Sequence, residues 1–194
     1  VIAGGAGKLA REFAGILVQA GARVVLADLQ QEACEAAAKR FSKDGFSPVI
    51  GKVCDVSRKN EVKDLFSFVE REFGRLDFFI SNVMGKTEDY YAPFEEYSEE
   101  AWDRVLDVNL KGNFLCCREA SALMKKTGGG SIILTSSVYG FVGPDQRIYK
   151  SCSPLKNPYG GEYKLNAPGS YVSSKGGILA LARYLSTLLG GDGI

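Results

Sequence analysis

Short apolar runs alternate along the chain with longer stretches in which apolar residues recur at helical spacing. The runs are "VIA" at the start, "RVVLAD" (23–28), "SPVIGKVCDV" (47–56), "LDFFISN" (76–82) and "GSIILTSS" (130–137). Runs this short and continuously apolar suit strands buried on both faces. Between them, Leu9, Phe13, Ile16, Leu17 and Ala20 form one helical stripe, ended by Gly21. Val62, Leu65, Phe66, Val69 and Phe73 form another, ended by Gly74. Glycine at such a position can take the left-handed conformation that closes a helix. A weaker, alanine-rich helix is predicted over about 30–43. One long helix is predicted from Ser98 to Lys126, with Ser98 and Glu99 suited to its N-terminus and "KKTGGGS" to its end. The last helix, from about Tyr171 to Leu189, is apolar nearly all round, so the sheet should cover one side and a partner subunit the other. Strands alternating with helices predict an α/β chain, a doubly wound parallel sheet flanked by helices in three layers.

Composition narrows this picture. A length of 194 residues suits one domain over 1–194. A formal net charge of +1 leaves no electrostatic footprint for nucleic acid or anionic lipid. No apolar run reaches the roughly 20 residues that cross a bilayer, so no membrane partner is expected, and no signal-peptide pattern is present. The five cysteines, Cys34, Cys54, Cys116, Cys117 and Cys152, have neither a disulfide framework nor zinc-ligand spacing. They predict reduced thiols in a cytoplasmic protein without a metal site. Adjacent Cys116 and Cys117 read as small buried hydrophobes on a helix. The chain opens inside a strand-like stretch and stops at "GGDGI", where another could start. The expectation is a piece of a longer protein, truncated at both ends and lacking a C-terminal part.

Candidate chemistry begins at "GGAGKLA", between the first strand and the first helix. It satisfies G-x-G-x-x-G/A at Gly5, Gly7 and Ala10. Small residues allow a tight turn and close backbone approach, so a pyrophosphate can rest on the N–H groups of the helix N-terminus. Gly4, Gly5, Gly7, Lys8 and Leu9 are the candidate cradle. The next strand ends in Asp28, about 20 residues on, where a carboxylate can accept hydrogen bonds from a ribose. It would repel a 2′-phosphate, and the next residue is Leu29 instead of an arginine. NAD is therefore favoured over NADP, although Lys8 could reach a phosphate.

The second candidate is "YVSSK". Tyr171 and Lys175 stand four residues apart, on one face of a helix. Free tyrosine loses its proton near pH 10. A cation held against the phenol favours the phenolate, which builds a proton donor and acceptor in a chain without histidine. The pair alone is a common spacing; its context decides.

That context resembles the short-chain dehydrogenase/reductase family over essentially the whole chain. "AGGAGKLA", "CDV", "SNVMG", "VNLKGNF", "ILTSSVYG" and "YVSSK" occur in the family's order. The resemblance implies a Rossmann-type fold and a bound NAD. Asp55 and Val56 would lie at the adenine, and Asn82 in the turn beside the nicotinamide. Asn109, Ser137, Tyr171 and Lys175 would be catalytic, with Tyr171 and Lys175 also touching the cofactor. Tyr171 would exchange a proton with the substrate oxygen, and Lys175 would favour the phenolate and bind the nicotinamide ribose. Ser137, the second of two serines, would hydrogen-bond the substrate oxygen, and Asn109 would hold a water leading from the lysine to solvent. The implied reaction interconverts a secondary alcohol and a ketone in a homodimer or homotetramer. A sugar-nucleotide epimerase or dehydratase using bound NAD, and a non-catalytic cofactor-binding protein, are the alternatives.

Several positions depart from the family. Ala3 and Ala10 replace a threonine and a glycine, and Ser81 and Met84 replace Asn and Gly in the turn after the fourth strand. "SNVMG" and the serine-plus-tyrosine context favour the shorter, single-domain branch. The stretch 138–170, between Ser137 and Tyr171, is far longer than the family's, and so long a loop is usually functional. Both its anchors would be catalytic by the resemblance, so a substrate lid is the expected role. Arg147, Lys150, Lys156, Tyr159 and Tyr163 could meet an anionic or sugar-like substrate. "VGPDQRIY" and "NAP" are similar to enzymes of bacterial surface-sugar pathways, including sialic-acid-like ones.

Overall fold

A computed structural model describes residues 1–42, 49–150 and 163–194. Five strands form one parallel sheet: β1 (Ile2–Ala3), β2 (Val24–Asp28), β3 (Val49–Val53), β4 (Phe78–Ser81) and β5 (Ser131–Leu134). Their order is β3-β2-β1-β4-β5. The chain winds outward one way from β1 through β3, then returns to β4 on the other side, creating a switch point between β1 and β4. Ile2 stands opposite Leu26 and Ile80, and Ala3 opposite Ala27 and Ser81. The C-terminal ends of three strands are thereby level.

Side chains alternate between the two faces of a strand, and the cores divide accordingly. Ile2, Leu26 and Ile80 pack with Ala10, Ala14 and Val18 of α1 (Lys8–Gln19) and Ala37 and Ala38 of α2 (Gln31–Ser42). On the other face, Ala3, Val25 and Phe79 pack with Val62, Phe66 and Val69 of α3 (Lys59–Phe73) and with Leu115, Ala120 and Leu123 of α5 (Gly112–Lys126). The α1 stripe is rotated from its predicted position: Leu9 and Ile16 are exposed, and the alanines face the sheet. Small side chains let the helix sit closer to the strands than leucine and isoleucine would. Gly74 closes α3 as predicted, at φ 69° with its N–H on the carbonyl of Glu70.

The long helix predicted over 98–126 is interrupted. Ser98 caps α4 (Glu99–Leu106), its Oγ accepting from the Ala101 N–H at 3.1 Å. A single π turn, Asp107–Lys111, then separates α4 from α5. The apolar spacing runs across this turn, which is why periodicity misses it. Gly112 follows it against Val56, where a Cβ would stand 2.7 Å from Cγ2. The last helix, α6, runs over Gly169–Leu189, and within this single chain Tyr184 and Leu188 are exposed.

The predicted lid, 138–170, is described at its two ends only; Lys156 and Tyr159 lie outside the described residues. The Gln146 side chain pairs both ways with the Ala167 backbone, at 2.8 and 3.2 Å, and the Asn166 amide donates to the Tyr91 carbonyl at 2.7 Å. Cys34, Cys54, Cys116 and Cys117 are buried free thiols, while Cys152 lies outside the described residues. Among the described residues no helix is long and apolar enough to cross a membrane.

Candidate active site

The glycine loop joins β1 to α1 at the switch point. Gly4 has φ 74°, and a Cβ there would stand 2.7 Å from the Asn82 carbonyl oxygen. A Cβ on Gly5 would stand 2.7 Å from that of Leu26, and one on Gly7 3.1 Å from the Gly4 carbonyl oxygen. Only glycine lets this loop lie flat across the strand ends. The Gly5 N–H bonds the Ala27 carbonyl and the Asn82 N–H bonds the Ala3 carbonyl, both at 2.9 Å. The first turn of α1 carries no acidic residue, so the helix N-terminus keeps the positive end of its dipole towards the loop. The side chains of Lys8 and Leu9 are exposed.

Asp28 is held beside this loop. Its Oδ2 accepts from the Ala6 N–H at 3.0 Å and its Oδ1 from the Leu29 N–H at 2.8 Å. Asp55 and Val56 follow β3 and are buried. Burial works to raise the Asp55 pKa, but hydrogen bonds from Ser57 and the charge of Arg104 outweigh it and hold the carboxyl below its ordinary value. The Ser57 hydroxyl donates to Oδ1 at 2.6 Å, and Arg104 lies 3.4 Å from Oδ2.

At the other end, the first turns of α6 carry Tyr171 and Lys175. The lysine is 4% exposed; its Nζ donates to the Thr135 carbonyl at 2.6 Å and lies 5.7 Å from the centroid of the Tyr171 ring. Burial lowers the Lys175 pKa to about 8, so the group is still mostly charged at neutral pH. The two adjacent serines diverge. Ser136 Oγ donates to the Lys175 carbonyl at 2.8 Å, whereas Ser137 opens the turn Val138–Gly140, its Oγ accepting from the Tyr139 N–H at 3.2 Å. Gly140 packs under α6, where a Cβ would stand 2.7 Å from the Lys175 carbonyl oxygen.

Asn109 sits in the π turn, wholly buried. Its Oδ1 accepts from the Gly85 N–H at 2.8 Å, and its Nδ2 donates to Ser174 Oγ at 3.0 Å. Its backbone carbonyl accepts from Asn113 Nδ2 at 2.5 Å. The fold thus gathers the segments bearing Gly4, Gly5, Gly7, Asp28, Asn82, Asn109, Ser137, Tyr171 and Lys175 at the C-terminal end of the sheet. Sequence reasoning passed over Ser174, Asn113, Gly85 and the Thr135 carbonyl. The available signal was Ser174, a small polar residue immediately before Lys175 and one turn after Ser170 in the same helix.

A doubly wound parallel sheet, with a glycine loop at its switch point and an acid ending the second strand, defines a Rossmann-type chain. The profile of the short chain dehydrogenase family matches residues 1–153, and the chain belongs to that family. It is 34% identical over 142 residues to the oxidoreductase YxjF of Bacillus subtilis, covering 73% of this chain and 52% of that protein. It is 29% identical over 194 residues to D-threitol dehydrogenase of Mycolicibacterium smegmatis, covering 100% of this chain and 65% of that one. The structure of an NAD+-bound xylitol dehydrogenase superposes with a TM-score of 0.81 at 26% identity, over 100% of this chain and 65% of that one. The chain thus spans 52% to 65% of the length of these relatives.

Proposed function

We propose that this chain forms the cofactor-binding and catalytic part of an NAD-dependent oxidoreductase that interconverts a secondary alcohol and a ketone. The observation that carries the reading is the buried ammonium of Lys175, fixed on the Thr135 carbonyl and lying beside the Tyr171 ring. A charge is costly to bury, and its neighbour here is a phenol whose ionised form it would stabilise.

The cradle fits a dinucleotide. A side chain on Gly4, Gly5 or Gly7 would crowd the turn, and the N–H groups of α1 are suited to a pyrophosphate. Asp28 would accept hydrogen bonds from the adenosine ribose and disfavour a 2′-phosphate, while Asp55 and Val56 would flank the adenine. Asn82 and Gly85 would face the nicotinamide end, and Lys175 its ribose. When bound, the nicotinamide supplies the hydride acceptor or donor.

The protein's part is acid–base chemistry and alignment. In oxidation Tyr171 Oη takes the hydroxyl proton of the alcohol; in reduction it returns a proton to the carbonyl oxygen. Lys175 stabilises the negative charge left on Oη. Ser137 Oγ donates a hydrogen bond to the substrate oxygen, strongest where charge develops on it. Asn109 holds the turn at Gly85 against α6 and keeps a path for a proton from Lys175 towards solvent. The printed names of two relatives, a threitol and a xylitol dehydrogenase, support a small polyol or sugar-like substrate. Exposed Phe114, Tyr184 and Leu188 on α5 and α6 support a homodimer or homotetramer, and the buried free thiols a cytoplasmic location.

The test is NADH formation from a panel that includes xylitol and D-threitol, with the wild type and Tyr171→Phe. Loss of the acid–base group should cost turnover about 10²-fold or more while NADH still binds. A Phe variant with wild-type turnover would overturn the assignment.

A further inference from the structure

We propose that Ser174 is a positioning residue for the nicotinamide end of the cleft, acting through Asn109. The inference rests on the cofactor reading above. Ser174 is wholly buried in α6, and its hydroxyl donates back to the Tyr171 carbonyl at 2.8 Å. That local bond gives a helix no advantage, and alanine is the better helix former. What the hydroxyl adds is an acceptor for Asn109 Nδ2 at 3.0 Å.

Among the described residues, Ser174 Oγ is the hydrogen-bond partner that Asn109 has on α6. Its Oδ1 is engaged by the Gly85 N–H, and its carbonyl by Asn113. Ser174 Oγ therefore completes a polar link, through Asn109, between two segments: the turn after β4, and the helix carrying Tyr171 and Lys175. Gly85 cannot anchor itself with a side chain, because a Cβ there would stand 2.9 Å from the Cβ of Val108. Without the Ser174 hydroxyl, the Asn109 amide loses its acceptor inside a buried site and must turn to find another. The Gly85 turn then loses a fixed partner. The adenosine end does not depend on this joint, since Asp28 is held by Ala6 and Leu29, and Asp55 by Ser57 and Arg104.

The consequence is a split that general destabilisation would not produce. In Ser174→Ala, the Kd for NADH, read by fluorescence titration, should rise about five- to tenfold, the effect of one lost buried hydrogen bond. The Kd for ADP, which reports only the adenosine end, should stay within about twofold. Equal weakening of both nucleotides, or a lower melting temperature with neither affinity moved, would overturn the inference. If the alanine variant does not fold, Ser174→Cys keeps the volume with a weaker acceptor, and the same NADH-to-ADP ratio decides. A wild type that binds neither nucleotide would overturn the cofactor reading and this inference together; a wild type that binds both, with the ratio unmoved in the variant, overturns this inference alone.

Discussion

Replacing Lys175 by methionine should make the protein more stable at neutral pH while removing the oxidoreductase turnover proposed above. The side chain is 4% exposed, and burial takes its pKa from the ordinary 10.5 to about 8. At about 1.4 kcal/mol for each tenfold change, keeping the ammonium charged inside the fold costs about 3 kcal/mol. Methionine fills a similar volume without the charge but leaves the Thr135 carbonyl without this donor, a loss of about 1–2 kcal/mol. The net gain is about 1–2 kcal/mol, which for a domain this size raises Tm by about 3–6 °C. The sign with pH is specific. Below about pH 8 the lysine is charged in both states and the native state bears the full cost. Between about pH 8 and 10.5 the native protein releases the proton while the unfolded chain keeps it, so native stability rises with pH. Urea unfolding of both proteins at pH 7 and pH 10 should show the variant's lead vanish or reverse. A difference that is the same at both pH values, or a variant less stable at pH 7, would refute the argument that a buried charge is being carried for function.

The buried thiols should act in the opposite direction. Burial, and next Glu61, push the Cys54 thiol up to about 12 from its ordinary 9. The unfolded chain therefore ionises first and stability falls as pH rises above 9; Cys54→Ala should remove up to about 1.4 kcal/mol of this loss per pH unit, measured by urea unfolding at pH 9 and 10.5. Gly5→Ala would drive a Cβ to within 2.7 Å of Leu26 Cβ, costing about 1–3 kcal/mol in thermal unfolding and weakening ADP binding. Gly143→Ala, whose added Cβ meets nothing within 4 Å, should stay within about 0.5 kcal/mol of wild type.

What could be read from the chain alone is what local chemistry dictates. Alternating apolar runs and helical stripes predicted a parallel sheet covered on both faces. The glycine at the end of α3 and the serine before α4 were identifiable because a cap needs only its own turn. The glycine loop and Asp28 were legible for the same reason: their spacing follows from one strand, one turn and one helix. What the tertiary structure decided is everything that depends on distant segments meeting. Leu9 and Ile16 matched the helical period yet face outward, because the rotation of α1 is set by how closely alanines approach β1 and β2. The π turn at Asp107–Lys111 leaves no mark on the apolar pattern, although it places Asn109 between Gly85 and Ser174. Ser136 and Ser137 are chemically identical neighbours that family resemblance alone told apart, and the docking of α6 gives the physical difference: Ser136 bonds the Lys175 carbonyl, whereas Ser137 caps the turn Val138–Gly140. Tyr171 and Lys175 were legible as a pair four residues apart, but the burial of the ammonium exists only once β5 and α6 close around it. Its altered proton affinity comes from the water those elements exclude, and solvent exclusion is a property of the assembled fold.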